Sequence, residues 1–467
     1  MKALRALGMD GAVTYAFLAR LTGIVGSTGT VLLIVRSLSP VEQGYYYTLL
    51  SLVSLQIVFE LGFCFVIQQL AAHECVHLKL NPDGSVTGDP VARARLASAL
   101  QLSVRWYTVA ALAMALLLAP LGLVFFSHYS AHGPVRVAWR GPWLCAVFAC
   151  SASLWCMPFY SFIEGCGQVR AVAAMRFRQA GAVALCAWAP MLMHHGLYSP
   201  ALAIVGQSVT GLVYVAGHRQ LLAGLLRHRN AKTVIDWNHE VWPFQWRIGV
   251  SSMCSYFTAL VFIPILFAER GPVEAGRMGM ALSITGYMTV LALAWTSTKS
   301  TPFGNMIARR TFAELDRLFR RAQAQSLAAF AAMAFCACAG AAVLPFFAPR
   351  LAARLVSPQI FAVLVLAAGA SCAIQSMATL LRSFKKEPFL VQSLIASSLT
   401  LLLVGLTAPR WGGAGAAFSY LCATAGFALP SALVIFARAR RGYLARTSEP
   451  ALASSLSPAP GVDNVLV

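Results

Sequence analysis

Two ionisable residues sit inside long apolar runs, where a charge is costly and marks a functional position by default. Arg20 lies in ALARLTGIVGST and Glu60 in FELGF. At a helical rise of 1.5 Å per residue they stand about 12 and 16 Å from the same membrane face. Adjacent helices would carry them at similar depth, so the two could meet. Two readings stand. In one, Arg20 receives an anionic group and Glu60 couples that event to a proton or cation. In the other, they form a buried structural ion pair.

A second set gathers where apolar runs meet polar loops. Glu164 precedes the tight turn 165–168, Arg176 and Arg178 follow one to two turns into the next run, and Arg247 opens FQWRIGVSS. Guanidinium forks match phosphate oxygens. The plainer reading is that these side chains snorkel to anchor helix ends. His73-Glu74-Cys75-Val76-His77 matches H-E-x-x-H, which on a helix puts two imidazoles on one face with a carboxylate between them. A zinc site also needs a third ligand and a shielded cavity. Asp83 is the nearest carboxylate and stands across a Pro turn, so no metal is expected. No phosphate loop, dinucleotide glycine motif or G-x-S-x-G occurs, so neither a cofactor nor an enzymatic activity is expected.

The elements that must position these residues are membrane-spanning helices. Of 467 residues, 58% are hydrophobic and 11% charged, against roughly 25% charged in soluble domains. Apolar runs long enough to cross hydrocarbon recur over 12–35, 45–71, 105–127, 142–163, 170–193, 200–222, 247–268, 278–298, 326–347, 358–381, 389–408 and 414–437. The fold class is therefore all-α and polytopic, with about twelve spans. The 36 Lys and Arg against 16 Asp and Glu give a net charge of +20. These cations cluster between spans, which points to anionic lipid rather than nucleic acid. With an inner N-terminus, 27 fall on the inner side and eight on the outer, which puts both termini in the cytoplasm.

Loop lengths repeat after six spans, which predicts two six-helix lobes. The N-terminal lobe would cover 12–224, a basic linker 225–246, the C-terminal lobe 247–437, and a disordered cytoplasmic tail 438–467. The segment 303–325 reads as an amphipathic helix lying on the inner leaflet. The twelve cysteines lack a C-x-x-C pair and mostly sit in apolar runs as small hydrophobes.

Three stretches carry a family resemblance. Arg20-x-x-Gly23 through LSPVEQGYYYTLLSLVSLQIVFELGF, the turn FIEGCGQVRAVAAMRFRQ, and WPFQWRIGVSSMCSYFTALVFIPILFAERGPVEAGRMGMALSI followed by TKSTPFGNMIARRTFAELDRLF resemble bacterial polysaccharide and O-antigen-type flippases. That family belongs to the multidrug/oligosaccharidyl-lipid/polysaccharide exporter superfamily. The resemblance covers about 12–437. It implies alternating access, a bacterial inner-membrane location, and a polyprenyl-pyrophosphate-linked oligosaccharide as cargo. A proton or sodium ion and the polysaccharide polymerase machinery would be partners. Arg20, Arg176, Arg178 and Arg247 would bind the anionic headgroup, and Glu60 and Glu164 would couple or gate. Related lipid II flippases often carry a second span-1 arginine six residues after the first, where this chain has Gly26. The alternatives are a cation-coupled small-molecule antiporter of the same superfamily, and a membrane glycosyltransferase or polymerase.

Overall fold

The computed structural model describes residues 11–80, 85–130, 137–227, 235–236, 242–384 and 387–445. Nearly all of them are helical. Nine helical stretches are long and apolar enough to cross a membrane. One of these, Leu390–Leu444, is two passes rather than one. Thr407 Oγ1 and Ser419 Oγ lie 2.8 Å apart, although twelve residues of straight helix would separate them by about 18 Å. The reversal falls at Gly412, whose φ of 57° suits glycine. Glu274 caps it, its Oε1 accepting from the Gly413 amide at 2.5 Å. With the broken second pass and the arginine-bearing fifth, the described residues make twelve passes.

Span 1 is Gly11–Ser37 and span 2 comprises Pro40–Val53, Gln56–Glu60 and Phe63–Cys75. A two-stranded hairpin, β1 (Leu78–Leu80) and β2 (Val86–Gly88), leads to span 3, Pro90–Ser130. Spans 4, 5 and 6 are Arg140–Gly165, Val169–Leu192 and Ser199–Gly217, followed by a short helix, Arg219–Leu226. Span 7 comprises Trp242–Ala259 and Phe262–Arg270, and span 8 comprises Pro272–Ala292 and Ala294–Ser297. After the short helix Ser300–Ala308, spans 9 and 10 are Phe312–Phe347 and Pro358–Ser383. Spans 11 and 12 lie on either side of Gly412, and span 12 passes through a π-helical segment, Cys422–Ala428, into Leu429–Ala445.

Backbone groups in hydrocarbon must be satisfied internally, and the sequence shows how. Span 2 starts on a capping box: Ser39 Oγ accepts from the Glu42 amide at 3.2 Å, and Glu42 Oε2 accepts from the Ser39 amide at 2.8 Å. Pro40 supplies the fixed φ of a first helical residue. Hydroxyls at Ser37, Ser54, Thr108 and Thr400 donate one turn back along their own helices. Large apolar side chains such as Val109, Leu112, Leu116 and Val124 stay uncovered along span 3. In a bilayer that stripe faces lipid.

Three expectations change. The run 45–71 is not one helix: it breaks at Leu61 and Gly62, both left-handed at φ 48° and 66°. The segment 303–325 does not lie as one amphipathic helix. It divides at Arg309 and Arg310, and Phe312 onward continues straight into span 9. The reason is Asp316, which is buried against Arg440 rather than exposed on a leaflet. The same contact holds Leu429–Ala445 helical into the segment expected as tail, with Tyr443 buried. The remaining tail, 446–467, and most of the linker, 228–234 and 237–241, lie outside the described residues.

Candidate functional site

Arg20 projects from span 1 and is largely uncovered by protein. Its Nη2 reaches Ser297 Oγ, at the end of span 8, at 3.4 Å. This contact joins residues 277 positions apart. Glu60 stands in a different setting. It ends the short helix Gln56–Glu60, immediately before the left-handed Leu61–Gly62 pair. Its carboxylate is close enough to the Cys64 thiol to interact with it, and Cys64 Sγ is 3.0 Å from Tyr107 Oη on span 3. Among the described residues no ion pair joins Arg20 to Glu60, so the meeting allowed by their depths does not occur here. The helix break turns Glu60 towards span 3, which no depth argument could have foreseen.

The break in span 2 is matched by one in span 7. Leu260 lies between its two helical pieces, and its carbonyl accepts from Ser51 Oγ of span 2 at 2.8 Å. Gly249 of span 7 packs against Leu61, where an added Cβ would stand 3.0 to 3.1 Å from its side chain and carbonyl. Two discontinuous helices therefore pack against each other, each break facing a helical turn of the other span. Irregular backbone at membrane depth is tolerated where protein or a wet cavity covers it, and it can change dihedral angles at little cost.

At the end bearing most of the Lys and Arg, the predicted cluster resolves into separate contacts. Glu164 Oε2 accepts from Arg176 Nη2 at 2.8 Å, so these two are partners. Arg178 is exposed on another face of span 5. Arg247 lies with its Cζ 5.7 Å from the Trp246 ring centroid, within cation–π range. Glu74 of H-E-x-x-H is buried and accepts from Arg95 Nε at 2.9 Å. Its carboxylate serves a helix–helix ion pair, and among the described residues no three His, Cys, Asp or Glu side chains gather into a metal site.

A cavity of about 460 Å³ lies among spans 7, 8, 10, 11 and 12. Ser251, Thr285, Thr289, Gln375, Gln392 and Ser393 line it among apolar side chains, and Arg382 at one end is paired with Glu387 at 2.7 Å. Gln392 Nε2 donates to the Ala428 carbonyl at 2.7 Å, at the end of the π-helical segment. Its Oε1 is buried and has no partner among the described residues, in a residue that lines the cavity. π-Helical turns in α-helices recur at functional positions. The cavity was not anticipated: Ser, Thr and Gln scattered in apolar runs look like ordinary interhelical polar residues.

At the opposite end of the bundle the chain is closed. An added Cβ on Gly44 would collide with the Pro272 backbone, and one on Gly276 with the Gly44 backbone at 2.8 Å. Small residues let spans 2 and 8 touch main chain to main chain. Gln43 Nε2 donates to Gly276 O at 2.9 Å and to Arg354 O at 3.1 Å. Arg354 Nη2 donates to Leu38 O at 2.5 Å.

Together, the twelve helical passes, the paired broken helices, one closed end and a partly polar cavity define an all-α polytopic membrane fold. No protein-family model and no curated protein sequence matches the chain. Solved structures do match. An inward-facing multidrug resistance MATE family transporter of the MOP superfamily has a TM-score of 0.61 at 11% identity, covering 93% of this chain and 100% of that one. The lipid II flippase MurJ in an inward closed conformation has a TM-score of 0.61 at 12% identity, covering 96% and 93%. An outward-facing MATE family transporter scores 0.55 at 12% identity, covering 96% and 100%. The chain shares the fold of these transporters over almost its whole length.

Proposed function

We propose that this chain is a flippase that carries a polyprenyl-pyrophosphate-linked oligosaccharide from the inner to the outer leaflet of the bacterial cytoplasmic membrane. Two six-helix lobes, 12–224 and 247–437, would rock about the contact of broken spans 2 and 7. Both termini would lie in the cytoplasm. Arg20, uncovered and reaching towards span 8, would take the pyrophosphate, and Arg176, Arg178 and Arg247 would draw it in from the basic end. Glu60 would couple or gate at the helix break, and Glu164 would hold Arg176 until the headgroup competes for it.

The observation that carries this reading is the chemistry of the 460 Å³ cavity. Hydroxyl and amide groups line part of it, the described residues of its wall include no carboxylate, and Arg382 at its end is paired with Glu387. A sugar is recognised by many neutral donors and acceptors, and a site built of such groups rejects ligands that cannot answer them. A cationic drug would instead call for a carboxylate in the wall. The test is deletion of the gene followed by leaflet-resolved analysis of lipid-linked oligosaccharides. Accumulation in the cytoplasmic leaflet is expected. Normal export of every surface glycan with loss of drug efflux would favour the cation-coupled antiporter instead.

A further inference from the structure

A second, smaller cleft lies at the basic end, before the apolar run of span 3. It has a volume of about 220 Å³ and is formed where the β-hairpin and the start of span 3 meet the short helix Arg219–Leu226. Ser85, Val86, Arg93, Gln220 and Gly224 are among its walls. Leu221, Leu222 and Leu225 of the short helix are buried. Gln101 Nε2 donates to the Leu225 and Leu226 carbonyls at 3.4 and 3.2 Å, which fixes the end of that helix against span 3. The cleft is therefore held open by docked elements.

Arg93 is the unusual group in it. Its Nε is inaccessible to water and has no hydrogen-bond partner among the described residues. The Nε is closed off from the cleft as well, so the part of the charged side chain that lines the cleft is what an anion would meet, and a buried charged donor without a partner costs more than a neutral one. Among the described residues nearby, Arg95 pairs with Glu74 at 2.9 Å, and Asp89 accepts from the Val91 and Ala92 amides at 3.1 and 3.3 Å. Arg219 and Arg227 flank the helix that forms the far wall and add positive potential.

We propose that this cleft binds a phosphate or diphosphate group, with the Arg93 guanidinium as its principal donor and Gln220 as the second. The site is smaller than the roughly 300–1,000 Å³ of a typical small-molecule pocket, which suits a compact oxyanion. Depth favours a water-soluble source over a phospholipid headgroup. Arg93 lies about 20 Å along span 3 from Trp106, where the apolar run begins, whereas the headgroup layer is roughly 5–8 Å thick on each side. The proposal is independent of the cargo and does not use Arg20.

The test uses full-length protein in neutral detergent, with the unfolding midpoint followed during titration with inorganic phosphate, pyrophosphate or phosphatidylglycerol micelles. Pyrophosphate is expected to raise the midpoint saturably. Arg93→Gln should weaken its apparent affinity by roughly tenfold or more, Arg93→Lys by less, and Arg20→Gln should leave a saturable, Arg93-dependent response in place. If Arg93→Gln does not fold, Gln220→Leu on the exposed face of the opposite wall replaces it and should also weaken binding. No saturable response to either anion, or the same response in wild type and the cleft variants, overturns the proposal. A phosphatidylglycerol response that alone disappears in the variants would overturn the water-soluble source.

Discussion

Arg354 and Gln43, 311 positions apart in the chain, are hydrogen-bonded to each other twice. Gln43 Nε2 donates to the Arg354 carbonyl at 3.1 Å, and Arg354 Nη1 donates to Gln43 Oε1 at 3.5 Å. The pair sits beside the main-chain contact of Gly44 with Pro272 and Gly276. A side chain recognising backbone on the other element can be made and broken as a unit, which suits a closure that must open in each cycle. Arg354→Ala should remove about 1.5–3 kcal/mol of closure through the charged hydrogen bonds. Faster modification of a cysteine placed between spans 2 and 8 at that end would show it. An unchanged rate would mean that the glycine contact alone keeps the end shut.

Gly44 gives a sharper version of the same test. No side chain fits between its Cα and the Pro272 carbonyl, and the obstacle is backbone. Gly44→Ala should hold that end open and stop turnover while leaving the protein inserted. Crosslinking across the closed end would report it. Efficient crosslinking and full transport in the variant would contradict the closure described here.

Asp316 joins the ends of spans 9 and 12. Arg440 Nε and Nη2 reach its two oxygens at 2.6 and 2.7 Å, and Arg320 Nε lies at 3.1 Å. Span 9 is long enough for about 54 Å of helix, so its charged first turns stand outside the roughly 30 Å hydrocarbon. Burial by itself raises the Asp316 carboxyl, but the hydrogen bonds and charge of Arg440, with the charge of Arg320, outweigh it and hold the group below the usual carboxylate range. A depressed folded-state value means stability that is present above the unfolded-state pKa and lost as pH falls through the folded one. Acid should therefore lower the unfolding midpoint of the wild type more than that of Asp316→Asn. At neutral pH the variant should be less stable by about 1–3 kcal/mol.

The twelve passes were legible because lipid imposes a simple rule: about twenty apolar residues with the cations between them. Spans such as Arg140–Gly165 and Pro358–Ser383 fall close to their predicted limits. The breaks were not legible. Leu61 has no sequence mark of a left-handed residue, and Gly62 alone does not announce a gap. Asp316 looked like part of a solvated face because its partner, Arg440, is 124 residues away. For the site, Arg20 and Glu60 were visible as charges in apolar runs, but the neighbours they take depend on packing. Ser297 and Gln392 carry no charge and gave no signal until the helices were placed.

Gln392 tests the cavity. Its Nε2 is used by the Ala428 carbonyl, and its Oε1 has no partner among the described residues. Gln392→Leu removes the free acceptor and should slow glycan transport by roughly tenfold, the weight of one hydrogen bond of about 1.4 kcal/mol. Gln392→Glu should do more harm, since a charge without a partner would stand in the wall. Equal transport by wild type and both variants would remove this cavity from the path.

The most direct measurement is made on purified protein in sealed vesicles carrying a polyprenyl-pyrophosphate-linked oligosaccharide, with glycan access to an externally added sugar-modifying enzyme as the readout. Wild type should expose the inner-leaflet pool with time. Arg20→Gln should slow this by roughly tenfold or more, as expected for a lost charge-assisted contact to pyrophosphate, and Arg20→Lys by less. No movement by the wild type in either orientation, or equal rates for wild type and Arg20→Gln, would contradict the account.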